Sequence, residues 1–191
     1  MKNAFVFLVV TILSCTAYAQ HQGAGLRLGE PLGFTYKRYL PGNKAFEIVV
    51  GTAPTDWSER YYKNSFERRY KDEDEVDTKV KQVVYLQGRY LFHNPIPTEG
   101  LEGKFDWYWG VGILLKTARV EYRYRDELPA TKEVFKRKRT DLDFGPDLIG
   151  GVEYTFEDVP VSIFGELDLL LELRDRTTVR LLGGFGARIN F

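Results

Sequence analysis

The C-terminal part of the chain alternates between apolar and polar positions. From residue 179 onward the odd positions carry apolar or small residues and end on Phe191, whereas the even positions include Arg180, Arg188 and Asn190. Residues 161–173 behave alike, because aliphatic residues dominate one parity while Glu166, Asp168 and Glu172 occupy the other. A period of two is typical of a β-strand whose two faces meet different surroundings. We therefore predict two strands here, joined by a connection at 175–178.

Six earlier segments show the same period less cleanly. Their apolar positions span residues 24–28, 34–40, 46–50, 84–92, 105–124 and 142–156. Pro146 interrupts the last segment and the phase of the alternation slips beyond Lys116, so we predict β-bulges at Pro146 and near 116–117. Eight strands in all return the C-terminus to the side of the N-terminus. The pattern predicts an all-β fold, an eight-stranded antiparallel up-and-down barrel.

The predicted connections differ in length between the two ends of the barrel. Those at 41–43, 94–104 and 157–160 belong to one end, whereas the other end has 30–32, 175–178 and two long loops, 52–79 and 125–139. Outer-membrane barrels combine short periplasmic turns with longer extracellular loops. We therefore predict that loops 52–79 and 125–139 are extracellular.

The second long loop carries a basic run. We predict that it binds an anionic surface such as lipopolysaccharide, or a partner surface. The alternative is a solvated protruding sheet in which the acidic run 72–77 faces the basic run 136–139. The candidate binding residues are Lys132, Lys136, Arg137, Lys138 and Arg139.

The alternation by itself fits two opposite barrels. A soluble lipocalin-like cup puts its apolar face inside around a hydrophobic ligand, whereas a small membrane barrel turns that face to lipid and fills its lumen with polar side chains. Charges of both signs on the polar face could pair inside a narrow lumen, where an isolated charge is costly. The predicted lumen network comprises Arg27, Lys37, Glu47, Arg89, Asp147, Glu153, Glu166, Asp168, Glu172, Arg180 and Arg188.

Aromatic residues favour the membrane alternative. They cluster near the strand ends beside the short connections, as the interfacial girdles of membrane barrels do. The chain also ends on an aromatic member of an apolar alternating set. The predicted girdle contains Tyr90, Phe92, Phe105, Trp107, Trp109, Tyr154 and Phe156.

The first residues predict export. Lys2 precedes an apolar run at 5–13, and Ala17-Tyr18-Ala19 matches a signal-peptidase site with cleavage before Gln20. The run is shorter than the roughly 20 residues that a membrane helix needs. Cys15, the single cysteine, loosely fits a lipoprotein motif as an alternative. We predict a signal peptide over 1–19 and one barrel domain over 20–191.

Short motifs resemble a known group. The ending 184–191, Gly-Phe-Gly-Ala-Arg-Ile-Asn-Phe, resembles the C-terminal signal of outer-membrane proteins, and segments 25–40 and 149–156 add similar glycine-aromatic patterns. Together they resemble small, mostly uncharacterised outer-membrane β-barrel proteins with the architecture of OmpX and the OmpA barrel. The resemblance implies a transmembrane barrel in the outer membrane of a Gram-negative bacterium. It also implies that Phe191 serves as an assembly signal for the barrel-assembly machinery.

Composition and motifs argue against several activities. The 27 basic and 27 acidic residues balance, which disfavours a nucleic-acid binder. With two histidines and no cysteine beyond Cys15, we predict no metal and no cofactor, since the acidic run 72–77 lacks the spacing of a calcium loop. A lipid A-modifying enzyme would need Ser58 or Ser65 beside a histidine, yet neither serine has one near in sequence.

The sequence as a whole predicts a monomeric, non-enzymatic outer-membrane barrel with a structural or surface-recognition role. Its predicted partners are outer-membrane lipid, lipopolysaccharide and the assembly machinery. A soluble lipocalin-like carrier is the alternative, and a lipid A-modifying enzyme is a weaker one.

Overall fold

The computed structural model describes residues 21–53, 73–100, 102–126, 134–173 and 178–191. The predicted signal peptide with Cys15, the serines 58 and 65, and Lys132 lie outside the described residues. The strands are β1 (Gln22–Gly29), β2 (Leu32–Leu40), β3 (Lys44–Thr52), β4 (Glu73–Pro95), β5 (Lys104–Asp126), β6 (Val134–Thr155), β7 (Val161–Glu172) and β8 (Thr178–Asn190).

Each strand pairs antiparallel with the next along the chain, and β8 pairs with β1 to close the sheet. The closing pairs run from Gly23↔Asn190 to Gly29↔Gly184. Gln22 and Phe191 exchange two backbone hydrogen bonds of 3.1 and 2.8 Å, so both ends of the described chain lie at one end of the barrel. The predicted eight-stranded antiparallel up-and-down barrel is confirmed.

The two ends of the barrel differ. One end, here the short-turn end, holds the turns at 41–43, 96–103 and 156–160 together with residues 22 and 191. The opposite end, here the long-loop end, holds the connections that follow β1, β3, β5 and β7.

Strands β4, β5 and β6 have 23, 23 and 22 residues, against 8 to 13 for the other five. The β3–β4 ladder ends at Gly51↔Tyr85, whereas β4 continues to pair with β5 as far as Glu73↔Asp126. Residues 73–82, 119–126 and 134–141 therefore form a three-stranded protruding sheet that extends β4–β6 by roughly 30 Å at 3.3 Å per residue.

The predicted boundaries of loops 52–79 and 125–139 were therefore wrong. Residues 73–79, 125–126 and 134–139 are strand, so β4, β5 and β6 extend into the predicted loops. The physical reason is that residues 73–79 and 136–139 carry charges at both odd and even positions. Backbone pairing continues there without the apolar alternation that marks a strand in the sequence.

Both predicted bulges were also wrong in position. The β5–β6 register runs without a shift from Lys104↔Thr155 to Arg125↔Val134, through Ile113↔Pro146 and Thr117↔Leu142. Pro146 is accommodated because the continuous β6–β7 ladder begins one residue later, at Asp147↔Leu170. The irregularities lie on β4 instead, between Glu75 and Asp77 and between Val80 and Gln82. The phase slip beyond Lys116 marks the edge of the apolar outer surface toward the long-loop end, where Thr117 and Arg119 are exposed.

Candidate functional site

The outer surface of the barrel is apolar on every strand. Side chains such as Phe34 and Ile113, 70% and 62% exposed, point away from the barrel axis, and no described element covers them. Exposed apolar patches on soluble monomers rarely exceed a few hundred Å². This continuous apolar belt includes Leu26, Phe34, Val50, Leu86, Val111, Ile113, Leu148, Val152, Leu167, Leu169, Leu181, Phe185 and Ile189.

Aromatic side chains border the belt toward the short-turn end. Phe92 stacks on Trp109 with ring centroids 4.8 Å apart, and Tyr154 meets Phe156 edge to face at 4.9 Å. Trp107 and Trp109 are exposed although both are large and apolar. Trp and Tyr prefer the boundary between hydrocarbon and headgroups, so this position suits an interfacial girdle.

The interior of the barrel reverses this distribution. The side chains of Arg27, Lys37, Glu47, Arg89 and Asp168 are inaccessible to solvent. A water-soluble domain buries apolar side chains and exposes charged ones, so this arrangement is inverted. The chain is a transmembrane β-barrel. The apolar belt faces lipid, and the polar face of each strand lines the lumen.

A central cluster occupies the middle of the lumen. Arg27 donates to Glu166 at 2.7 Å and to Asp168 at 2.9 Å, and Arg89 donates to the same two carboxylates at 2.6 and 2.9 Å. Tyr108 adds a hydrogen bond of 2.8 Å to Glu166. Two guanidinium groups and two carboxylates thus neutralise one another across β1, β4 and β7. This mutual pairing permits their burial.

A second cluster lies toward the short-turn end. Arg188 contacts Glu153 at 2.6 Å and also pairs with Glu47, while Lys37 contacts Glu153 at 2.9 Å. The Arg188 guanidinium lies 3.6 Å from the centroid of the Phe164 ring, within cation–π range. The four charged groups come from β2, β3, β6 and β8, so the cluster ties strands together across the lumen.

A third cluster lies toward the long-loop end. Arg180 contacts Glu30 at 2.9 Å and Glu172 at 3.0 Å, and Tyr85 donates to Glu30 at 2.6 Å. Lys116 lies 3.7 Å from Glu172 and 3.5 Å from Asp143. The Arg180 side chain is partly exposed, unlike the arginines of the other clusters. This cluster therefore forms the lumen mouth.

Inward-facing glycines make room for the large side chains of the lumen. A Cβ at Gly151 would lie 2.7 Å from the Tyr108 ring, and one at Gly186 would lie 2.7 Å from the Phe164 ring. A Cβ at Gly184 would overlap the Arg27 guanidinium. Eight strands leave an interior about as wide as its own side chains. In the described part of the chain the lumen is thus packed with side chains that fit one another.

All eleven charged residues of the predicted network lie inside the barrel, although their environments differ. Ten are buried and Arg180 is partly exposed. Sequence reasoning missed other lumen groups. The alternation would have given Asp106, Lys116 and Asp143, because they share the inward parity of their strands. It could not have given Glu30, which follows β1 in a connection and folds inward to Tyr85 and Arg180.

A lipid A-modifying enzyme would need a histidine as its base, and His93 on β4 is the candidate within the barrel strands. Its ring is buried between Tyr39 and Tyr108, at centroid distances of 5.9 and 5.1 Å, and its Nδ1 lies 3.5 Å from Asp106. Ser162, the inward serine at this end, bonds instead to Asn190 at 2.7 Å and Thr155 at 2.8 Å. The described residues therefore give His93 aromatic neighbours rather than a nucleophile.

In the described ranges, no three or more His, Cys, Asp and Glu residues are grouped so as to hold a metal ion. Among the same residues there is no helix with the length and apolarity to cross a membrane.

The basic run predicted to bind an anionic surface lies within β6, except for Lys132. Lys136 is opposite Arg123 and Lys138 is opposite Glu121 on β5, whereas Asp74 and Asp77 on β4 pair with the other edge of β5. The acidic and basic runs therefore flank β5 and do not pair with each other. This corrects the alternative in which they face one another directly.

Comparisons with known proteins give a likeness of fold only. No family model and no curated protein matches the chain. The N-terminal β-barrel domain of Pseudomonas aeruginosa OprF is 13% identical, with a TM-score of 0.48 over 89% of this chain and 94% of that one. A major outer membrane protein from Thermus thermophilus is 14% identical, with a TM-score of 0.44 over 91% of this chain and 100% of that one.

Proposed function

We propose that this protein is a non-enzymatic outer-membrane barrel that anchors a recognition surface at its long-loop end. The observation that carries the proposal is the packed, charge-paired lumen inside an apolar belt. A lumen filled by Arg27, Arg89, Glu166 and Asp168 at ion-pair distances leaves little room for solute passage. A rigid anchor is the function that such an interior supports best.

The protruding sheet supports the recognition role. It continues three strands out of the barrel beyond the reach of β3 and β7 in the described residues. A sheet held by backbone pairing keeps its residues at fixed register positions, which suits a binding surface. We propose that Lys132, Lys136, Arg137, Lys138 and Arg139 engage an anionic surface, of which lipopolysaccharide is the nearest in an outer membrane.

The same arrangement disfavours the soluble carrier. A lipocalin-like cup needs an apolar lumen for its ligand, whereas this lumen contains charged residues of every strand from β1 to β8. The position of Phe191 supports the proposed outer-membrane location. Phe191, directly after β8, is the last residue of the outward-facing apolar set of that strand, and it lies beside β1. We propose that it is read by the barrel-assembly machinery during insertion.

The test uses the full chain expressed in a Gram-negative host. We expect the protein in the outer-membrane fraction, resistant to osmotic shock and extractable only with detergent. Purified barrel in vesicles should then bind lipopolysaccharide more weakly at high salt. Replacing two charges of the run, Lys136→Gln with Lys138→Gln, should cost about 1 kcal/mol per charge in binding.

A matched double variant at the opposite end controls for net charge. Arg38→Gln with Lys44→Gln removes two exposed cations near the short turns. We expect this control to bind lipopolysaccharide like the unmodified protein. Equal losses in both variants would contradict the placement of the recognition surface. Release of the protein by osmotic shock would contradict the anchor itself.

A further inference from the structure

Asp147 is a buried carboxyl group that no described Lys or Arg side chain pairs with. It projects from β6 into the lumen and is 4% exposed. Its Oδ2 accepts a hydrogen bond of 2.5 Å from the amide of Gln87, and its Oδ1 has no hydrogen-bond partner in the described ranges. It forms no ion pair with any described Lys or Arg side chain. Removing a carboxylate from water without a compensating charge is among the costliest events in folding.

The carboxyl groups of the central and second clusters, unlike Asp147, have cationic partners among the described residues. Glu47, Glu153, Glu166 and Asp168 each contact at least two cationic side chains. Arg89, two positions after Gln87 on β4, directs both of its terminal nitrogens elsewhere. They bond to Glu166, Asp168 and the side-chain carbonyl oxygen of Gln87 at 2.6, 2.9 and 2.8 Å.

The charge balance of the lumen side chains that the structure describes points the same way. Among the described residues, buried carboxyl groups outnumber the cations around them, even when the exposed Lys104 at the rim is counted. The cations are Arg27, Lys37, Arg89, Lys104, Lys116, Arg180 and Arg188, and the carboxyl groups are Glu30, Glu47, Asp106, Asp143, Asp147, Glu153, Glu166, Asp168 and Glu172.

The surroundings of Oδ1 have space for a hydrogen atom. Gly112 lies opposite Asp147 on β5, and a Cβ there would come within 2.6 Å of Oδ1. On β7, Asp168 lies diagonally across, because Asp147 pairs with Leu170. Within the described part of the chain the Oδ1 of Asp168 also lacks a hydrogen-bond partner. Two adjacent carboxylates repel each other and can only accept hydrogen bonds. When one of the two groups carries a proton, the repulsion is removed and the protonated oxygen becomes a hydrogen-bond donor.

We propose that Asp147 is a proton-binding site of the lumen, neutral in the folded barrel at neutral pH. The groups that face it are Gln87 and Arg89 from β4, Gly112 from β5, and Glu166, Asp168 and Leu170 from β7. The proton occupies Oδ1 and makes Asp147 a donor toward Asp168 or toward a water above Gly112. A bound metal ion is the less suitable occupant, because the described residues offer no group of three metal ligands there.

Infrared spectroscopy of the barrel in lipid vesicles tests this directly. A protonated carboxyl group absorbs separately from a carboxylate, and carbon-13 labelling of aspartate side chains distinguishes Asp from Glu. We expect the unmodified protein to show a protonated aspartate band at neutral pH. This measurement requires no variant, so its absence would overturn the proposal even if substitutions at this position prevented folding.

Two variants assign the band. Asp147→Asn should abolish it and leave the unfolding temperature unchanged or raised, because Asn keeps the neutral shape. Glu153→Gln is the control. It should keep the band but lower the unfolding temperature, because Lys37 and Arg188 then lose a charged partner. A band that persists in Asp147→Asn, or that disappears only in Asp168→Asn, would overturn the assignment to Asp147.

Discussion

The two faces of the barrel wall are made by the same strands but obey opposite rules. On β7, Leu167 and Leu169 point outward and are 59% and 46% exposed, whereas Glu166 and Asp168 are buried. The outward residues meet a fluid apolar solvent that tolerates many shapes. The inward residues meet their partners at fixed distances of 2.6 to 2.9 Å. The outer face therefore tolerates apolar side chains of many sizes, whereas the inner face tolerates only side chains with the right charge and volume.

The strongest test of this difference removes one charge from the inner face. Glu166→Ala leaves Arg27 and Arg89 each with one fewer carboxylate and removes the acceptor of Tyr108. Breaking a buried ion pair by deleting one partner costs about 3–5 kcal/mol. Denaturant unfolding in lipid vesicles measures this loss of stability. Glu157→Ala, in an exposed turn, is the control and should change little. Equal stability of the two variants would show that the central cluster contributes nothing.

The second test adds a charge to each face in turn. Leu169→Arg places a cation against lipid between Leu148 and Leu181, at a cost of about 2–4 kcal/mol near the bilayer midplane. In Leu170→Arg the new side chain enters the lumen beside Asp147, where carboxyl groups are in excess. Its charge is therefore compensated, and the loss of stability comes mainly from its larger volume. We expect less folded protein in the membrane for Leu169→Arg, as judged by heat-modifiable gel mobility. The reverse order would invert the assigned faces.

The third test adds a single methyl group to each face. Gly151→Ala brings a Cβ within 2.7 Å of the Tyr108 ring, and overpacking of this kind costs about 1–3 kcal/mol. At the adjacent outward Gly150, a Cβ meets nothing within 4 Å, so Gly150→Ala should not lower stability. Unfolding midpoints of the two variants compare them directly. If Gly150→Ala were the more damaging change, the outer face would be as selective for volume as the lumen.

The sequence determined the class of fold and the side of the wall on which each residue lies. Alternation with period two depends only on local chain geometry, since successive side chains of a strand point to opposite faces. It therefore predicted the eight strands and placed Arg27, Glu47, Arg89 and Glu166 on one common face. It traced β5 as far as residue 124, but it could not trace β4 and β6 into the protruding sheet, because charged residues occupy both parities at 73–79 and 136–139.

Tertiary structure decided which inward groups meet. Arg27 and Glu166 are 139 positions apart and come into contact only because closure of β8 on β1 brings β7 across the lumen. The inward turn of Glu30, the glycines that admit Tyr108 and Phe164, and the lack of a described cation at Asp147 have the same origin. A strand pattern specifies a direction for each side chain. Distances across a closed barrel depend on the register of all eight strands together, and no local pattern contains them.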